Sequence, residues 1–352
     1  MRKEKFSVKE KILAAYCLDK NVKEVTKDDA CKLNRLNIAS GSIKDGMPHL
    51  ISKEGVGRID KLRRWNPTLR CSICFGGEYS TPCRTEDGRE RIAQTLTDIA
   101  VRYRLDGIDI DWEYPCCGEN GFVADPADRD NYTLLLASIR QAMDISGSGR
   151  RLLLTSAVGA GQYFIDSTRM DQAEKYLDCI YLMTYDMRGP FQVLTGHHTN
   201  LFQPIGDIFT DSVASSAQMF KKAGVPREKI VLGMAFYSRI WKNVPNRYNG
   251  YLQIAKTRGE YGPHYDELCK KYVNKNGYIR YWDDVCKAPY LFNGSTFISY
   301  DDEKSVALKC AYARSKDYGG VFYWEHGCDQ TKTLLGTAWK NLFGSEERRK
   351  VR

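Results

Sequence analysis

The amino-acid sequence predicts an α/β protein, namely a (β/α)8 TIM barrel with a small α+β insertion between its strands 7 and 8. This prediction follows from the regular alternation of two patterns. Short apolar runs bounded by turn residues recur eight times, and amphipathic helical patterns lie between them. Such alternation is typical of a closed parallel barrel rather than of an open sheet. The runs are residues 11–16, 35–40, 69–75, 105–112, 152–158, 177–184, 229–236 and 320–324.

The helical segments between the runs have recognisable boundaries. Residues 89–103 place apolar side chains at a helical spacing, and residues 302–315 begin with an aspartate and end before a glycine pair. Residues 211–223 form a third helix, for which we expect Asp211 to be the N-cap and Gly224 to mark the end.

One gap breaks the regular spacing of the runs. About 80 residues separate the seventh run from the eighth, far more than an ordinary connection needs, and this segment is rich in tyrosine, asparagine and lysine. We predict that it forms an insertion beside the site, on the catalytic face of the barrel. No internal repeat or flexible linker is visible, so we expect one catalytic unit and a monomer. The predicted division is 9–241 and 298–344 for the barrel, 242–297 for the insertion, and 1–8 and 345–352 for the tails.

Composition and charge disfavour several classes of partner. The formal net charge is +9, from 53 Lys and Arg against 44 Asp and Glu, but much of the excess lies near the two ends, so we predict no nucleic-acid partner. No stretch approaches the roughly 20 apolar residues of a membrane-spanning helix, so we predict no membrane partner. The charged N-terminal segment indicates a cytoplasmic protein, or a secreted one if a leader was removed.

The twelve cysteines do not have the pattern of a disulfide framework. Cys71 and Cys74 have a redox-like spacing, but on a strand their side chains point to opposite faces. The same geometry argues against a zinc site, because no second pair with suitable spacing follows. The sequence leaves one local disulfide bond among Cys83, Cys116 and Cys117 as an alternative. We predict no cofactor and no metal.

The fourth run contains the residues with the clearest chemistry. From Leu105 to Pro115 the sequence is LDGIDIDWEYP. Side chains alternate along a strand, so Asp109, Asp111 and Glu113 share one face, while two isoleucines and a tryptophan share the other. In a barrel this arrangement places three carboxyl groups on the inner wall, where they cannot all ionise without cost. We therefore expect one of them to hold a proton at neutral pH, as a general acid must.

Two other interpretations of this carboxyl row are open. The row could be the solvent-exposed face of an amphipathic strand, or a site for a hard cation such as Mg²⁺ or Ca²⁺. Two observations weigh against both interpretations. The strand lies in the middle of a parallel series that is buried on both faces, and no further acidic cluster supplies additional ligands.

The carboxyl row resembles the D-x-x-D-x-D-x-E signature of glycoside hydrolase family 18, in the W-E-Y-P form of its chitinases. Further segments follow in the family's order. Residues 183–186 resemble its M-T-Y-D strand end, residues 229–241 its seventh strand, and residues 297–325 the approach to its eighth. The resemblance covers roughly residues 11–343. It implies a TIM barrel that hydrolyses β-1,4-linked N-acetylglucosamine in chitin or chito-oligosaccharides.

The resemblance also implies roles for four catalytic residues. In this family the acetamido group of the sugar attacks its own anomeric carbon, and water then opens the oxazolinium ion with retention of configuration. Glu113 would be the general acid and base. Asp111 would orient the acetamido N–H, with Asp109 behind it sharing a proton. Tyr185 would hydrogen-bond the acetamido carbonyl.

Eight further residues are predicted to bind the substrate. Trp324 would form an apolar floor under a sugar ring, although plain core packing is the alternative for any single aromatic residue. Strand alternation places Tyr237 and Arg239 on one face with Gly233 and Ala235. The predicted substrate-binding residues are Asp186, Met183, Trp324, Tyr237, Arg239, Gly76, Gly77 and Tyr16.

Four positions depart from the family pattern. The third strand ends with C-F-G-G-E-Y where the family usually has S-x-G-G-W, so Cys74 replaces a serine and Glu78 a tryptophan. Ser40 and Phe191 stand where an aromatic residue and a tryptophan are common. Because fewer aromatic side chains would line the groove, we expect action on soluble chito-oligosaccharides rather than on crystalline chitin.

Two other functions remain as alternatives. A non-hydrolytic chitin-binding lectin on the same scaffold would usually have lost the terminal glutamate, which is present here as Glu113. A related endo-β-N-acetylglucosaminidase, acting on glycoprotein glycans or peptidoglycan, would differ mainly in its loops, and these are not defined by the motif residues.

Overall fold

A computed structural model describes residues 10–118 and 121–344. The strands are β1 (Ile12–Leu18), β2 (Arg35–Lys44), β3 (Met47–Leu50), β4 (Arg70–Gly77), β5 (Gly107–Asp111), β6 (Leu153–Gly159), β7 (Cys179–Met183), β8 (Ile230–Ala235), β9 (Tyr237–Lys242), β10 (Glu260–His264), β11 (Ile279–Asp283), β12 (Ala288–Phe292), β13 (Thr296–Ser299) and β14 (Gly320–Trp324).

The α-helices are α1 (Lys27–Lys32), α2 (Ile59–Trp65), α3 (Ser80–Cys83), α4 (Glu86–Arg102), α5 (Asp128–Ile145), α6 (Gln162–Asp166), α7 (Met170–Ala173), α8 (Val213–Lys222), α9 (Tyr265–Glu267), α10 (Glu303–Ser315) and α11 (Thr333–Phe343). In the part of the chain that the structure describes, no helix has both the length and the apolar character needed to cross a membrane.

Eight parallel strands close into a barrel. Neighbouring strands are hydrogen-bonded in the order β1, β14, β8, β7, β6, β5, β4, β2, and β2 pairs in turn with β1. Each predicted apolar run falls on one of these strands, so the predicted barrel is confirmed. Because the strands are parallel, their carboxyl ends meet at one end of the barrel, where barrel enzymes carry their active sites.

Two apolar layers stabilise the barrel. The larger layer lies between the strands and the surrounding helices, and Ile108 and Ile110 of β5 are fully buried in it. Each large aliphatic side chain buried in this way contributes about 1.5–3 kcal/mol. The smaller layer fills the barrel interior and consists of Ala14, Tyr16, Cys74, Ala157, Cys179, Tyr181, Val231 and Phe322.

The predicted helices are present, with one change at a cap. Segments 89–103 and 302–315 correspond to α4 and α10, and the Asp302 side chain accepts the N–H of Ser305 as an N-cap. The prediction that Asp211 caps α8 was wrong. Ser212 is the cap, because it has the extended backbone that an N-cap needs and its hydroxyl accepts the N–H of Ser215.

All twelve cysteines are free, so the alternative of a disulfide bond among Cys83, Cys116 and Cys117 is not realised. Cys71 belongs to the outer apolar layer and Cys74 to the interior layer. Their side chains therefore point to opposite faces of β4, as the alternation of a strand predicts.

A second, antiparallel sheet lies between β8 and β14 in the sequence. Its five strands are hydrogen-bonded in the order β10, β9, β13, β12, β11. Because β9 begins at Tyr237 and β13 ends at Ser299, this sheet reaches beyond the predicted segment 242–297 on both sides. The division of the chain into domains stays a prediction, and the predicted tails lie outside the described residues.

The chain leaves the barrel at a bend. The prediction that strand alternation places Tyr237 and Arg239 on one face with Gly233 and Ala235 was wrong, because β8 ends at Ala235 and the next strand belongs to the antiparallel sheet. The backbone N–H of Phe236 donates to the carbonyl of Trp324, and its carbonyl accepts the N–H of Tyr265. These two bonds hold the bend and interrupt the strand alternation.

Candidate active site

The carboxyl row lies at the carboxyl end of β5, as the strand alternation predicts. Asp109 is fully buried in the barrel, whereas Asp111 at the end of the strand and Glu113 beyond it are half-buried. Between them Trp112 points outward, where its ring stacks on that of Tyr79 with ring centres 5.3 Å apart. Packing of the outer face therefore fixes the direction of the carboxyl groups on the inner face.

Asp109 forms the base of the row and is held by three side chains. The hydroxyls of Tyr16 and Thr155 donate to its two carboxyl oxygens, each at an O–O distance of 2.6 Å. The thiol of Cys74 forms a third hydrogen bond. Burial raises the pKa of Asp109 to about 6, although these three hydrogen bonds act in the opposite direction. Asp109 therefore takes up a proton far more readily than an exposed aspartate.

Asp111 has a buried oxygen without a partner. No described residue hydrogen-bonds its Oδ1 atom. Burial, followed by the charges of Glu113 and Asp109, raises the pKa of Asp111 well above its ordinary value. A buried polar atom left unpaired costs about 1–3 kcal/mol. Asp111 thus presents an acceptor that an N–H group of a ligand can satisfy.

Glu113 lies two residues beyond the end of β5, at the mouth of the barrel. Its side chain shares a hydrogen bond with Tyr114. Glu113 is the outermost position of a row whose inner member, Asp109, is fully buried. This position suits a group that exchanges a proton with a bound molecule.

The two predicted glycines have different reasons to be glycine. A Cβ at Gly76 would lie 3.8 Å from Oδ2 of Asp111, which is an ordinary van der Waals contact. Gly77 has a φ of +126°, and a Cβ there would lie 2.6 Å from the carbonyl oxygen of Ile43. Gly76 adds no side chain beside the carboxyl row. Gly77 allows a positive φ and a close approach to the backbone of Ile43, which a larger residue would not.

The carboxyl end of β7 brings Met183 and Tyr185 to the site. Met183 packs against the interior apolar layer. Burial, followed by the charges of Asp111 and Glu113, raises the pKa of Tyr185 well above its ordinary value. The Tyr185 hydroxyl therefore stays protonated and can donate a hydrogen bond close to these two carboxyl groups.

Asp186 and Arg239 form a bidentate ion pair between the barrel and the second sheet. Nε and Nη2 of Arg239 donate to the two carboxylate oxygens at 2.6 and 2.7 Å. Nδ1 of His198 lies 3.5 Å from Oδ1 of the same carboxylate. Burial alone would raise the pKa of Asp186, but the contacts with His198 and Arg239 lower it below its usual range. Asp186 is therefore an anchor for Arg239 rather than a proton donor.

Tyr237 lies behind the surface that a ligand could reach. It is 2% exposed, and its ring stacks on Tyr261 with ring centres 4.6 Å apart. Tyr261 itself is 48% exposed, and the guanidinium of Arg239 lies 5.4 Å from its ring centre. The accessible aromatic surface at this position is therefore that of Tyr261.

Trp324 ends β14 and lies beside Tyr16, with ring centres 5.9 Å apart. The next residue, Glu325, is buried and accepts the side-chain N–H of Asn21 and the backbone N–H of Leu18. A cavity of about 470 Å³ opens next to the tryptophan. It is lined by Leu18, Lys20, Asn21, Glu24, Tyr261, His264, Trp324, Glu325, Gly327 and Gln330.

Three residues of the site were missed by the sequence analysis. Thr155 pairs in register with Asp109, and its strand parity was a usable signal. Tyr261 belongs to the tyrosine-rich segment, but nothing in that segment distinguishes it from the other tyrosines. His198 lies in the long connection after β7, where no periodic pattern indicates which side chain turns inward.

The four departures from the family pattern have different structural consequences. Cys74 retains a hydrogen bond to Asp109. Ser40 is fully buried and its hydroxyl donates to the carbonyl of Ser52, so it presents no surface to a ligand. Glu78 accepts the backbone N–H of Thr81, and Phe191 is 68% exposed. Neither Ser40 nor Glu78 supplies an aromatic surface.

The site combines four chemical elements. An accessible carboxyl group stands above two acids that hold protons readily, a tyrosine hydroxyl can donate close by, one buried carboxyl oxygen lacks a donor, and an indole ring lies at the end of β14. The oxygens of Asp109 already accept hydrogen bonds from hydroxyls, which disfavours the alternative of a hard cation bound there. This arrangement can protonate a leaving group and stabilise a polar N–H beside it.

The raised pKa of Asp109 predicts how stability depends on pH. Its folded-state pKa of about 6 exceeds the ordinary 3.8, so the folded protein binds the extra proton and the contribution of Asp109 to stability falls as pH rises from about 4 to 6. The pKa difference corresponds to a loss on the order of 3 kcal/mol. Asp109→Asn lacks this ionisation, so its thermal midpoint should rise relative to that of the wild type over this pH interval.

The matched control is Asp45→Asn, at an exposed turn position with a positive φ that asparagine also tolerates. Its effect on the thermal midpoint should be small, because the side chain is exposed and lies outside the carboxyl row. A constant difference between Asp109→Asn and the wild type from pH 4 to 7 would contradict the raised pKa.

Comparison with known proteins places this chain in a family. Residues 12–329 match the model of the family "Glycosyl hydrolases family 18". The chain is 36% identical to Chitinase A1 of Niallia circulans over 86% of its own length and 48% of that protein. It is 32% identical to Probable chitinase 2 of Drosophila melanogaster over 84% of its length and 64% of that protein. The chain thus spans about half to two thirds of the length of these relatives.

Among solved structures, a glycoside hydrolase family 18 N-acetylglucosaminidase from Paenibacillus barengoltzii is similar throughout. Its TM-score is 0.93 at 46% sequence identity, and the match covers 95% of this chain and 100% of that one. The family model and these relatives match the region that contains the barrel and the carboxyl row, and so the chain belongs to the glycosyl hydrolases of family 18.

Proposed function

We propose that the chain hydrolyses β-1,4 linkages between N-acetylglucosamine residues, with Glu113 as general acid and base and the substrate's acetamido group as nucleophile. The observation that carries this proposal is the unpaired, buried Oδ1 of Asp111 next to Glu113. A substrate-assisted reaction needs an acceptor for the acetamido N–H beside the proton donor, and Asp111 supplies one. Membership in the family and the chitinase relatives support the same chemistry.

In the first step the proton of the Glu113 carboxyl group passes to the glycosidic oxygen as the bond from this oxygen to the anomeric carbon breaks. The acetamido carbonyl oxygen forms a new bond to the anomeric carbon and gives an oxazolinium ion. Asp111 accepts the acetamido N–H and stabilises the positive charge, while the Tyr185 hydroxyl donates to the acetamido oxygen. Asp109 buffers the proton that it shares with Asp111.

In the second step the Glu113 carboxylate takes a proton from water, whose oxygen attacks the anomeric carbon. The bond to the acetamido oxygen breaks, and Glu113 is protonated again. Two displacements on one carbon retain its configuration. Trp324 offers an apolar ring for the sugar to lie on, and Gly76 leaves the space beside Asp111 free.

The role of Glu113 predicts the effect of removing its proton. Glu113→Gln keeps the size of the side chain but cannot transfer a proton, so kcat on an aryl di-N-acetylchitobioside should fall roughly 10²–10⁴-fold. Binding of the substrate should persist, because the substitution leaves the Trp324 ring and the acceptor oxygen of Asp111 unchanged. Chromophore release measures the first quantity and calorimetric titration the second.

Glu90→Gln is the control, since Glu90 is exposed on α4 outside the barrel. Its activity and thermal midpoint should equal those of the wild type. If Glu113→Gln keeps its thermal midpoint and still turns over at the wild-type rate, Glu113 is not the acid. If the wild type binds oligosaccharide but releases no chromophore, the lectin alternative replaces the enzyme.

A second candidate function is release of single N-acetylglucosamine units. It is favoured by the 46% identical N-acetylglucosaminidase, whose whole chain is matched. The cavity beside Trp324 favours the chitinase activity instead, because it offers room for a further sugar next to the one that would stack on the tryptophan. The products released first from chitohexaose distinguish the two candidates. Disaccharides and longer units support a chitinase, and single sugars alone support an N-acetylglucosaminidase.

The loss of aromatic residues at positions 40 and 78 predicts a preference among substrates. With Ser40 buried and a glutamate at position 78, few rings are available to hold an extended chain. At equal mass concentrations of substrate, the initial rate of hydrolysis on soluble chitohexaose should therefore exceed that on crystalline chitin by at least about tenfold. Reducing-end release on the two substrates measures this ratio. Faster release from the crystal would contradict the prediction without affecting the role of Glu113.

A further inference from the structure

Three side chains with metal-binding atoms converge away from the carboxyl row. His197 lies in the connection between β7 and α8, Asp283 ends β11, and Cys286 lies in the turn before β12. The ligand atoms of these three residues all lie within 4.8 Å of one another. We call this group the His–Asp–Cys cluster. It joins two segments that are about 90 residues apart in the sequence, so no local spacing reveals it.

Backbone contacts hold the cluster in place. The N–H groups of Val285 and Cys286 both donate to Oδ1 of Asp283 at 2.9 Å, which leaves Oδ2 to face Nε2 of His197 at 3.1 Å. The carbonyl of Cys286 accepts the N–H groups of Leu201 and Phe202 at 3.0 and 3.2 Å. The connection after β7 and the turn before β12 are thus tied together, and their side chains are ordered before any ligand arrives.

The cluster is largely buried, and Asp283 is its most exposed member. The side chains of His197 and Asp283 are 2% and 18% exposed, and Cys286 is fully buried. Nε2 is the ring nitrogen of His197 that faces Asp283, whereas Nδ1 is buried and has no hydrogen-bond partner among the described residues. Rings of Tyr251 and Tyr290 flank the imidazole with centres 5.0 and 5.8 Å away, and they restrict its movement.

The charges around the cluster are negative or already paired. Asp283 is the acid of the cluster, and nearby Asp207 is engaged in a buried ion pair with Arg188. A divalent cation at the cluster would supply the positive charge that a thiolate needs.

We propose that His197, Asp283 and Cys286 bind one zinc ion, with water as the fourth ligand. Imidazole, carboxylate and thiolate are the side chains that zinc prefers, and a tetrahedral ion spaces such ligand atoms about 3.3–3.6 Å apart. The observed 3.1 Å between Nε2 of His197 and Oδ2 of Asp283 is close to this spacing. The ligand atoms lie within 4.8 Å of one another, so the widest separation would shorten by at most about 1 Å on zinc binding. A buried ion pair beside an inert thiol is the alternative.

A zinc ion here would stabilise the connection that carries His198. This residue follows His197 directly and contacts Asp186, which binds Arg239. The metal would therefore tie the connection after β7 to the second sheet without touching the carboxyl row. Binding of the metal would be independent of the proposed hydrolytic chemistry.

The decisive test uses the wild-type chain after dialysis against a chelator. Titration with Zn²⁺ should reach one equivalent and raise the thermal midpoint. X-ray absorption at the zinc edge should show one sulfur ligand at about 2.3 Å and nitrogen or oxygen ligands at about 2.0–2.2 Å. Absence of saturable binding, or a ligand shell without sulfur, would overturn the proposal.

Variants locate the metal within the chain. Cys286→Ser and His197→Gln should each weaken Zn²⁺ binding by roughly 100-fold or more, since loss of a mere outer-shell partner costs 10–100-fold. Cys269→Ser is the control, because this half-buried cysteine lies in the same part of the chain outside the cluster, and it should bind zinc like the wild type. Equal binding by Cys286→Ser and the control would place the metal elsewhere and overturn the proposal.

Discussion

Three carboxyl groups lie close together on one wall of a closed barrel, the innermost fully buried and the other two half-buried. Burial opposes ionisation of Asp109 and Asp111, and each additional charge in the row opposes the next. The neighbours of the row fit this constraint. Tyr16 and Thr155 donate hydroxyls to the innermost acid, whereas the acid at the end of β5 keeps one oxygen unpaired. The proposed chemistry uses this asymmetry, because a ligand N–H satisfies the unpaired oxygen just where a proton has to be delivered.

The second sheet completes the other wall of the site. The chain bends out of the barrel at Phe236, and β9 then places Arg239 against Asp186 at the end of β7. This ion pair fixes the residue next to Tyr185, whose hydroxyl faces the acids. The same sheet supplies Tyr261 as accessible aromatic surface beside Trp324. The barrel thus provides the acids, and the second sheet fixes much of what surrounds them.

The barrel and the carboxyl row could be predicted because strand patterns are local. Alternation from Ile108 to Glu113 depends only on the two-residue period of a strand, and the eight apolar runs depend only on burial. Other features depend on contacts between distant segments. No periodic pattern in the sequence predicts three of these features. They are the bend that ends β8 at Ala235, the contact of His198 with Asp186, and the convergence of His197 with Asp283. The helix cap at Ser212 was missed because aspartate and serine are both good N-caps, and only the backbone angles select one.

The central claim is that the acetamido group of the substrate, held by Asp111, acts as the nucleophile. The most direct measurement compares two aryl disaccharides that differ only at the 2-position of the sugar bearing the aryl group, one with an acetamido group and one with a hydroxyl. The account predicts that the 2-hydroxyl compound binds but is not detectably hydrolysed, because no oxazolinium ion can form. Comparable kcat values for the two compounds would contradict substrate assistance and would require a nucleophile from the protein.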